Sequence, residues 1–107
     1  MYDVQDFQKD VIERSKETPV LVDFWAAWCA PCLMLGPVLE EAVKEADGAW
    51  ELAKVDTERF PQDAMNYGVR SIPNVKLFIN GEVVDEFVGA IPKPAVVDFM
   101  SKALAEA

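Results

Sequence analysis

The chain has 107 residues, a length typical of one domain that buries its own core without disulfide or metal staples. Its formal net charge of −9 argues against nucleic acid or an anionic membrane as partner, because both would repel it. Two cysteines are too few for a disulfide scaffold. We therefore expect a single domain over residues 1–107, with monomer as the default state.

The N-terminal residues predict a cytoplasmic location. Met1 to Asp6 have neither the basic opening nor the apolar stretch of a secretion signal, and no apolar run in the sequence is long enough to cross a bilayer. An amphipathic helix is expected next, capped by Asp3 or a near neighbour and ended before Thr18-Pro19. Its apolar residues recur at helical spacing: Val4, Phe7, Val11 and Ile12.

A strand, a helix and a second strand are predicted in succession. Val20 to Trp25 is nearly all apolar, as in a strand buried on both faces of a parallel sheet. A helical pattern runs from about Pro31 to Ala46, with Pro37 expected to bend it, and Leu52 to Asp56 is predicted as the second strand. These lengths predict a right-handed parallel crossover.

The rest of the chain predicts a helix, a hairpin and a closing helix. Pro61 to Tyr67 is predicted to be helical, and Val75 to Ile79 and Glu82 to Val88 flank Asn80-Gly81, a dipeptide suited to a type I′ turn. Gly89 ends the hairpin. The apolar face of the last helix comprises Val96, Phe99, Met100, Ala103 and Leu104. The predicted order is α-β-α-β-α-β-β-α, an α/β fold with a mixed sheet.

The two cysteines, Cys29 and Cys32, stand between the first strand and its helix, where open α/β sheets usually place their sites. Two intervening residues bring both sulfurs within disulfide geometry in a helical turn, which predicts a redox-active dithiol. Unpaired N–H groups at a helix start favour an anion, so the Cys29 thiolate should form readily. Pro31 suits the first helical turn, and Cys32 should be the more buried sulfur.

Two other interpretations of the cysteine pair are less favoured. Half of a zinc site would need further Cys or His ligands, and the chain has no other cysteine and no histidine. A purely structural disulfide would close so short a loop that its entropic stabilisation would be small.

Five motifs resemble the thioredoxin family in order and spacing. They are Val22-Asp23-Phe24-Trp25-Ala26, Trp28-Cys29-Ala30-Pro31-Cys32, Ser71-Ile72-Pro73, Asn80-Gly81 and Val88-Gly89-Ala90. The resemblance covers nearly the whole chain and implies the thioredoxin fold, a central mixed sheet of four to five strands with helices on both faces. Tyr2 to Val4 are all that remains of the family's first strand, so this edge strand should be short or absent.

The resemblance implies a thiol-disulfide oxidoreductase that reduces protein disulfides. Cys29 resembles the attacking thiol, which forms a mixed disulfide with the substrate, and Cys32 resembles the resolving thiol. An NADPH- or ferredoxin-dependent reductase would recharge the pair. The chain itself should bind no cofactor and no metal, since it contains no phosphate-cradling Gly-rich loop such as GxGxxG.

Asp23 is the candidate base for the Cys32 proton. A lone carboxylate in an apolar strand is costly to bury, so desolvation should raise its pKa into a range useful for proton transfer. The alternative to this catalytic role is that Asp23 is an ordinary strand residue that is partly exposed to solvent. Lys54 resembles the family's partner to this carboxylate and could reach it across the strands, although a surface lysine would fit the sequence nearly as well.

The substrate surface is also implied by the resemblance. Ile72-Pro73 resembles the family's cis-proline turn, whose free backbone would take up an extended substrate peptide as an added strand. The apolar rim would comprise Trp28, Ile72 and Ala90, with Gly89 beside it and with Ala30 and Pro31 between the sulfurs. Core packing is the alternative for these apolar residues.

Two departures from the family pattern bear on function. Ala30 replaces the glycine most common between the cysteines, which makes the direction of electron flow less certain, and Leu33 replaces a frequent basic residue. A reductase is favoured over two alternatives: a client-binding domain of a co-chaperone, to which residues 11–16 and 89–92 are similar, and an oxidase or isomerase of an exported compartment.

Overall fold

The computed structural model describes residues 2–107, in which a four-stranded mixed sheet lies between two helical layers. Strands β1 (Val20–Trp25), β2 (Glu51–Asp56), β3 (Asn74–Ile79) and β4 (Glu82–Val88) lie in the order β2-β1-β3-β4. The β1–β2 pair is parallel, and the β1–β3 and β3–β4 pairs are antiparallel. The predicted mixed α/β sheet is therefore confirmed, with the parallel pair provided by the β1-helix-β2 crossover.

Helices α1 (Ala30–Ala46) and α3 (Lys93–Glu106) cover one face of the sheet. The other face is covered by α2 (Pro61–Asn66) and by an N-terminal helical segment, π-helical over Gln8–Glu13 and 3-10 helical over Arg14–Lys16. The predicted order of helices and strands is confirmed. Among residues 2–107, no helix combines the length and apolar character needed to span a membrane.

The N-terminal helical segment starts later than predicted, at Gln8. Asp3 does not cap it but forms an isolated parallel bridge with Lys54 on the outer edge of β2. Its near neighbour Asp6 makes the hydrogen bond expected of a capping residue, since its Oδ1 accepts from the Lys9 N–H at 3.0 Å. The Val4 N–H donates to the Lys54 carbonyl at 2.9 Å, and the Lys54 N–H donates to the Tyr2 carbonyl at 2.7 Å. These bonds satisfy backbone groups that the sheet edge would otherwise leave free. The first edge strand is thus reduced to a bridge, as its short sequence predicted.

Strand β1 forms the centre of the core because each of its residues except Trp25 is buried. Side chains alternate along a strand, so Leu21 and Asp23 project toward α1 and α3, whereas Val20, Val22 and Phe24 project to the opposite face. The parallel register pairs Asp23 with Lys54 of β2. The carboxylate of Asp23 and the ammonium of Lys54 are therefore attached at adjacent positions on neighbouring strands beneath α1.

Candidate active site

The two cysteines lie in the first turn of α1. Cys29 is the N-cap residue, and its sulfur accepts a hydrogen bond from the Cys32 backbone N–H at 3.2 Å. The side chains are joined as a disulfide, with Cα atoms 5.3 Å apart. Pro31 occupies the first turn, where its missing N–H leaves no unpaired donor. The helix start predicted for this motif is confirmed.

Both sulfurs are sheltered from solvent. Cys29 is 4% exposed and Cys32 is 3% exposed, so the difference in burial that the sequence predicted is small. Both pack with Ala26 in a small apolar cluster against the half-buried Ile72. The Cys29 sulfur lies 3.8 Å from the Ile72 carbonyl oxygen. The disulfide is therefore approached from solvent over the edge formed by Ile72 and the exposed start of α1.

The peptide bond between Ile72 and Pro73 is cis, as the resemblance predicted. Pro73 is buried, and its carbonyl accepts a hydrogen bond from the Gly89 N–H at 2.8 Å. Gly89 has a φ of 95°, in the left-handed region that favours glycine, and Ala90 beside it is exposed. This hydrogen bond joins the end of β4 to the turn that carries Ile72, so residues 72–73 and 89–90 lie together.

An exposed apolar rim surrounds the disulfide. Trp28 is 70% exposed, and Ala30 and Pro31 are exposed as well. A cavity of about 310 Å³ separates Trp28 from Ile72 and has three polar residues in its lining: Thr57, Arg70 and Ser71. Ser71 belongs to the Ser71-Ile72-Pro73 motif, whereas Thr57 and Arg70 had no signal in the sequence because they join this cavity only in the folded chain.

Asp23 is fully buried, with 0% exposure, and neither carboxylate oxygen has a hydrogen-bond partner among residues 2–107. Burial raises the pKa of this carboxyl from 3.8 to about 7, because the charged form is deprived of water. The positive charge of Lys54 opposes this rise and the negative charge of Glu40 adds to it. The predicted increase in pKa and its cause, desolvation, are confirmed.

Lys54 does not form an ion pair with Asp23. Its Nζ lies 3.3 Å from Oε2 of Glu40 on α1 and 5.1 Å from the centre of the Trp25 ring. The Lys54 side chain is 18% exposed, so it is held within the structure and differs from a freely solvated surface lysine. Sequence reasoning missed Glu40, since one carboxylate on an acidic helix carries no signal that distinguishes it from its neighbours.

Comparisons with known proteins identify the family. The family model for thioredoxin matches residues 1–102. The chain belongs to the thioredoxin family. It is 43% identical over 98 residues to thioredoxin 1 of a Nostoc species, covering 92% of this chain and 90% of that protein. A solved thioredoxin mutant from Halobacterium salinarum has a TM-score of 0.84 at 35% identity, over 94% of this chain and 88% of that one.

Plant relatives are longer. The chain is 44% identical over 99 residues to the chloroplastic M-type thioredoxin of Pisum sativum, covering 92% of this chain but 58% of that protein. Thioredoxin M5 of Oryza sativa, also chloroplastic, is matched over 54% of its length. The chain thus spans little more than half of these plant proteins.

Family membership and the cysteine pair together support thiol-disulfide chemistry. Thioredoxins carry no cofactor, and their redox-active cysteines react directly. Within the described range 2–107, no group of three or more His, Cys, Asp or Glu side chains is arranged to hold a metal ion. The candidate reacting groups are the two sulfurs of the Cys29–Cys32 disulfide at the start of α1.

Proposed function

We propose that this protein is a thiol-disulfide oxidoreductase that reduces disulfides in other proteins. The observation that carries the proposal is the hydrogen bond from the Cys32 N–H to the Cys29 sulfur at the N-terminus of α1. A backbone donor and the positive end of a helix dipole both stabilise negative charge on that sulfur. Cys29 is therefore assigned as the attacking nucleophile and Cys32 as the resolving thiol.

The reaction transfers two electrons in two exchange steps. The Cys29 thiolate attacks one sulfur of the substrate disulfide, which forms a mixed disulfide and expels the other substrate sulfur as a thiolate. Cys32 then gives its proton to Asp23, and the new thiolate attacks Cys29. This breaks the mixed disulfide, releases the second substrate thiolate and leaves Cys29 and Cys32 oxidised. The two substrate thiolates take up protons.

Asp23 and Lys54 complete the catalytic set in this proposal. A carboxyl whose pKa is about 7 accepts a proton readily near neutral pH and returns it in the next cycle. Lys54 sets the electrostatic environment of that carboxyl, since its charge favours the ionised form.

The substrate-binding surface is assigned to the residues around the disulfide. The backbone of Ile72, which the cis bond to the buried Pro73 holds beside the disulfide, would pair with an extended substrate backbone. Such pairing gives broad specificity because backbone bonds are the same for every sequence. The exposed apolar rim would contact the substrate side chains. Its exposed residues are Trp28, Ala30, Pro31 and Ala90, and the half-buried Gly89 lies beside Ala90.

We further propose that residues 1–107 act as one domain, monomeric and cytoplasmic, with protein disulfides as substrates. The electrons would come from a separate NADPH- or ferredoxin-dependent reductase. The net charge of −9 gives no electrostatic attraction to nucleic acid or to anionic lipid, so neither is proposed as a partner.

The reduction potential of the cysteine pair tests the proposed direction of electron flow. The protein is equilibrated with glutathione buffers, and free thiols are counted by mass tagging. A potential below about −260 mV would support a reductase, because it lies under the cytosolic glutathione poise measured by extraction. A value near −180 mV or above would indicate an oxidant or isomerase. A pair that never forms a disulfide would leave the client-binding alternative.

Single cysteine variants test the assigned roles. Cys32→Ser should accumulate a mixed disulfide with a substrate protein, because the resolving thiol is missing. Cys29→Ser is the matched control and should accumulate far less. Equal accumulation in both variants would contradict the assignment of Cys29 as the attacking thiol. Non-reducing gels with mass spectrometry of the linked peptides give the measurement.

A further inference from the structure

Glu40 on α1 contacts Lys54, one of the two charged residues, with Asp23, that lie beneath this helix. Its carboxylate Oε2 lies 3.3 Å from the ammonium of Lys54, which extends from β2 toward the helix. The Lys54 side chain is 18% exposed and that of Glu40 is 39% exposed. This ion pair is therefore partly desolvated, which makes it stronger than a pair fully in water.

Two other residues, Trp25 and Gly36, define the surroundings of the Lys54 ammonium. It stands 5.1 Å from the centre of the Trp25 ring, within range of a cation–π interaction. On α1, a Cβ added to Gly36 would lie 3.2 Å from Nζ, so glycine leaves the space through which the ammonium approaches the helix. Glu40, Trp25 and Gly36 together define one position for this cation.

That position leaves Asp23 without a direct cation. Asp23 and Lys54 are register partners on adjacent parallel strands, and side chains at such positions are close enough to interact. Yet both oxygens of Asp23 lack a hydrogen-bond partner within residues 2–107, while the Lys54 ammonium bonds to Glu40. Lys54 could pair with the buried Asp23, but it is instead bonded to Glu40, which lies nearer to solvent.

We propose that Glu40 is a positioning residue for proton transfer at Asp23, because it holds the Lys54 ammonium away from the Asp23 carboxylate. A direct ion pair would favour the ionised form of Asp23 and lower its pKa by about 1–3 units. The carboxylate would then be a weaker acceptor for the Cys32 proton. This inference rests on the proposed function, in which Asp23 takes up that proton.

Other charged groups near Lys54 are more open to solvent. Asp3, Asp56 and Arg59 line a cavity of about 400 Å³ beside Lys54 and Trp25. Asp3 and Arg59 are exposed and Asp56 is partly exposed, so water and salt weaken their effect on Asp23. Lys54 and Glu40 are the two charged residues that shift the pKa of Asp23. In the reduced protein, Cys32 on α1 is a further titratable group facing this region.

The first test is an NMR titration of the Asp23 carboxyl carbon in the oxidised protein. Glu40→Gln should give Asp23 a pKa about one unit lower than in the unchanged protein, because the freed ammonium can turn to the buried carboxylate. Glu41→Gln is the matched control, with the same charge change one residue along α1. Glu41 pairs with Lys93 at 2.8 Å on the surface, so its loss should leave the Asp23 titration unchanged.

A double-mutant comparison separates positioning from a simple loss of charge. In a Lys54→Met background there is no ammonium to release, so Glu40→Gln should shift the Asp23 titration several-fold less than it does when Lys54 is present. Equal shifts in both backgrounds would overturn the proposal, since Glu40 would then act directly on Asp23. No shift with Lys54 present would overturn it as well.

A kinetic measurement tests the link to proton transfer. The rate at which Cys32 resolves a preformed mixed disulfide is recorded against pH in a single turnover. In Glu40→Gln, the midpoint of the acid limb of this profile should move to lower pH by the same amount as the pKa of Asp23 measured by NMR. A limb that stays in place while the titration moves would overturn the role in proton transfer. If the protein reduces no disulfide, the proposed function fails, but the titration still decides whether Glu40 positions Lys54.

Discussion

Asp23 makes the stability of the folded protein depend on pH. Its pKa is 3.8 in an ordinary environment and about 7 in the buried site. Between these values the folded chain holds a proton that the unfolded chain has lost, so the free energy of unfolding falls as the pH rises from 4 to 7. Above pH 7, Asp23 is ionised in both the folded and the unfolded chain, so its contribution to the free energy of unfolding no longer changes with pH. The total decrease is about 4 kcal/mol.

Replacing this carboxyl with a neutral amide should remove the dependence. We expect Asp23→Asn to be more stable than the unchanged protein by about 4 kcal/mol at pH 8 and of similar stability at pH 4, because the protonated carboxyl and the amide are both neutral. Urea unfolding at the two pH values measures the difference. The same variant should resolve mixed disulfides more slowly, since it lacks the proton acceptor.

Asp98→Asn is a suitable control for this prediction. Asp98 is exposed on α3 and pairs with Lys102 at 3.1 Å, so its replacement should change stability by less than about 0.5 kcal/mol at either pH. A gain in stability for Asp23→Asn that is as large at pH 4 as at pH 8 would show that the cause is packing and that burial of charge is not responsible.

Single residues with a local chemical signal could be predicted from the sequence. Cys29 and Cys32 were identified by their spacing, and Asp23 was identified because a carboxylate interrupts an apolar strand. Glu40 had no such signal, since its partner Lys54 lies 14 positions away and the two meet only when α1 packs on β2. The resemblance to a family suggested Lys54, but the bond that holds it required the folded structure.

At the level of secondary-structure elements, Ser15 joins the N-terminal helical segment to the β3–β4 hairpin. Its hydroxyl donates to the Ile12 carbonyl at 2.7 Å and accepts from the Gly81 N–H at 2.8 Å. Its own carbonyl accepts from the Asn80 N–H at 2.9 Å. Ser15 is 2% exposed, so water cannot replace the hydroxyl without a local opening.

Ser15→Ala should therefore destabilise the protein by about 1–3 kcal/mol, because the Gly81 N–H loses its partner where the hydroxyl was buried. Chemical denaturation measures the loss, and hydrogen exchange at Gly81 should become faster. Ser101→Ala on α3 is the control, since Ser101 is exposed and alanine suits a helix interior. An equal loss in the two variants would indicate that the Ser15 hydrogen bonds add nothing.

Elements with a strong periodic pattern were predicted well, and those shaped by distant contacts were not. Asn80 and Gly81 have φ values of 54° and 81°, which agrees with the type I′ turn predicted from their identities. The π-helical form of Gln8–Glu13 was missed, because apolar residues three and four apart fit an ordinary α-helix equally well. The late start of this segment depends on pairing between Tyr2–Val4 and β2, which sequence periodicity does not report.

For the whole molecule, the resemblance implied the layered architecture but could not show how the core is divided. One core lies between the sheet and the pair α1 and α3, and a second lies under the N-terminal helical segment and α2. Asp23 belongs to the first side and Phe24 to the second, because neighbouring strand residues face opposite ways. The central strand thus contributes to both cores while presenting one carboxylate beneath the helix that carries the cysteines.

The net charge of −9 should control the encounter with charged substrates at low salt. The molecule measures 31 × 28 × 24 Å, and the Debye length is about 30 Å at 0.01 M salt but about 8 Å at 0.15 M. At 0.01 M, charges on the whole molecule therefore act at the disulfide, whereas at 0.15 M mainly neighbouring groups do. The electrostatic effect of the distant surface can thus be removed by salt alone.

We expect a basic disulfide peptide to be reduced up to about tenfold faster at 0.01 M than at 0.15 M salt, and an acidic peptide to be reduced more slowly at the lower salt. Stopped-flow rate constants for the reduced protein measure both effects. A neutral peptide of the same length is the control, because salt changes the reactivity of Cys29 equally for all three. If the basic and acidic peptides respond alike relative to the neutral one, groups beside the site such as Arg70 control the encounter, and the net charge does not.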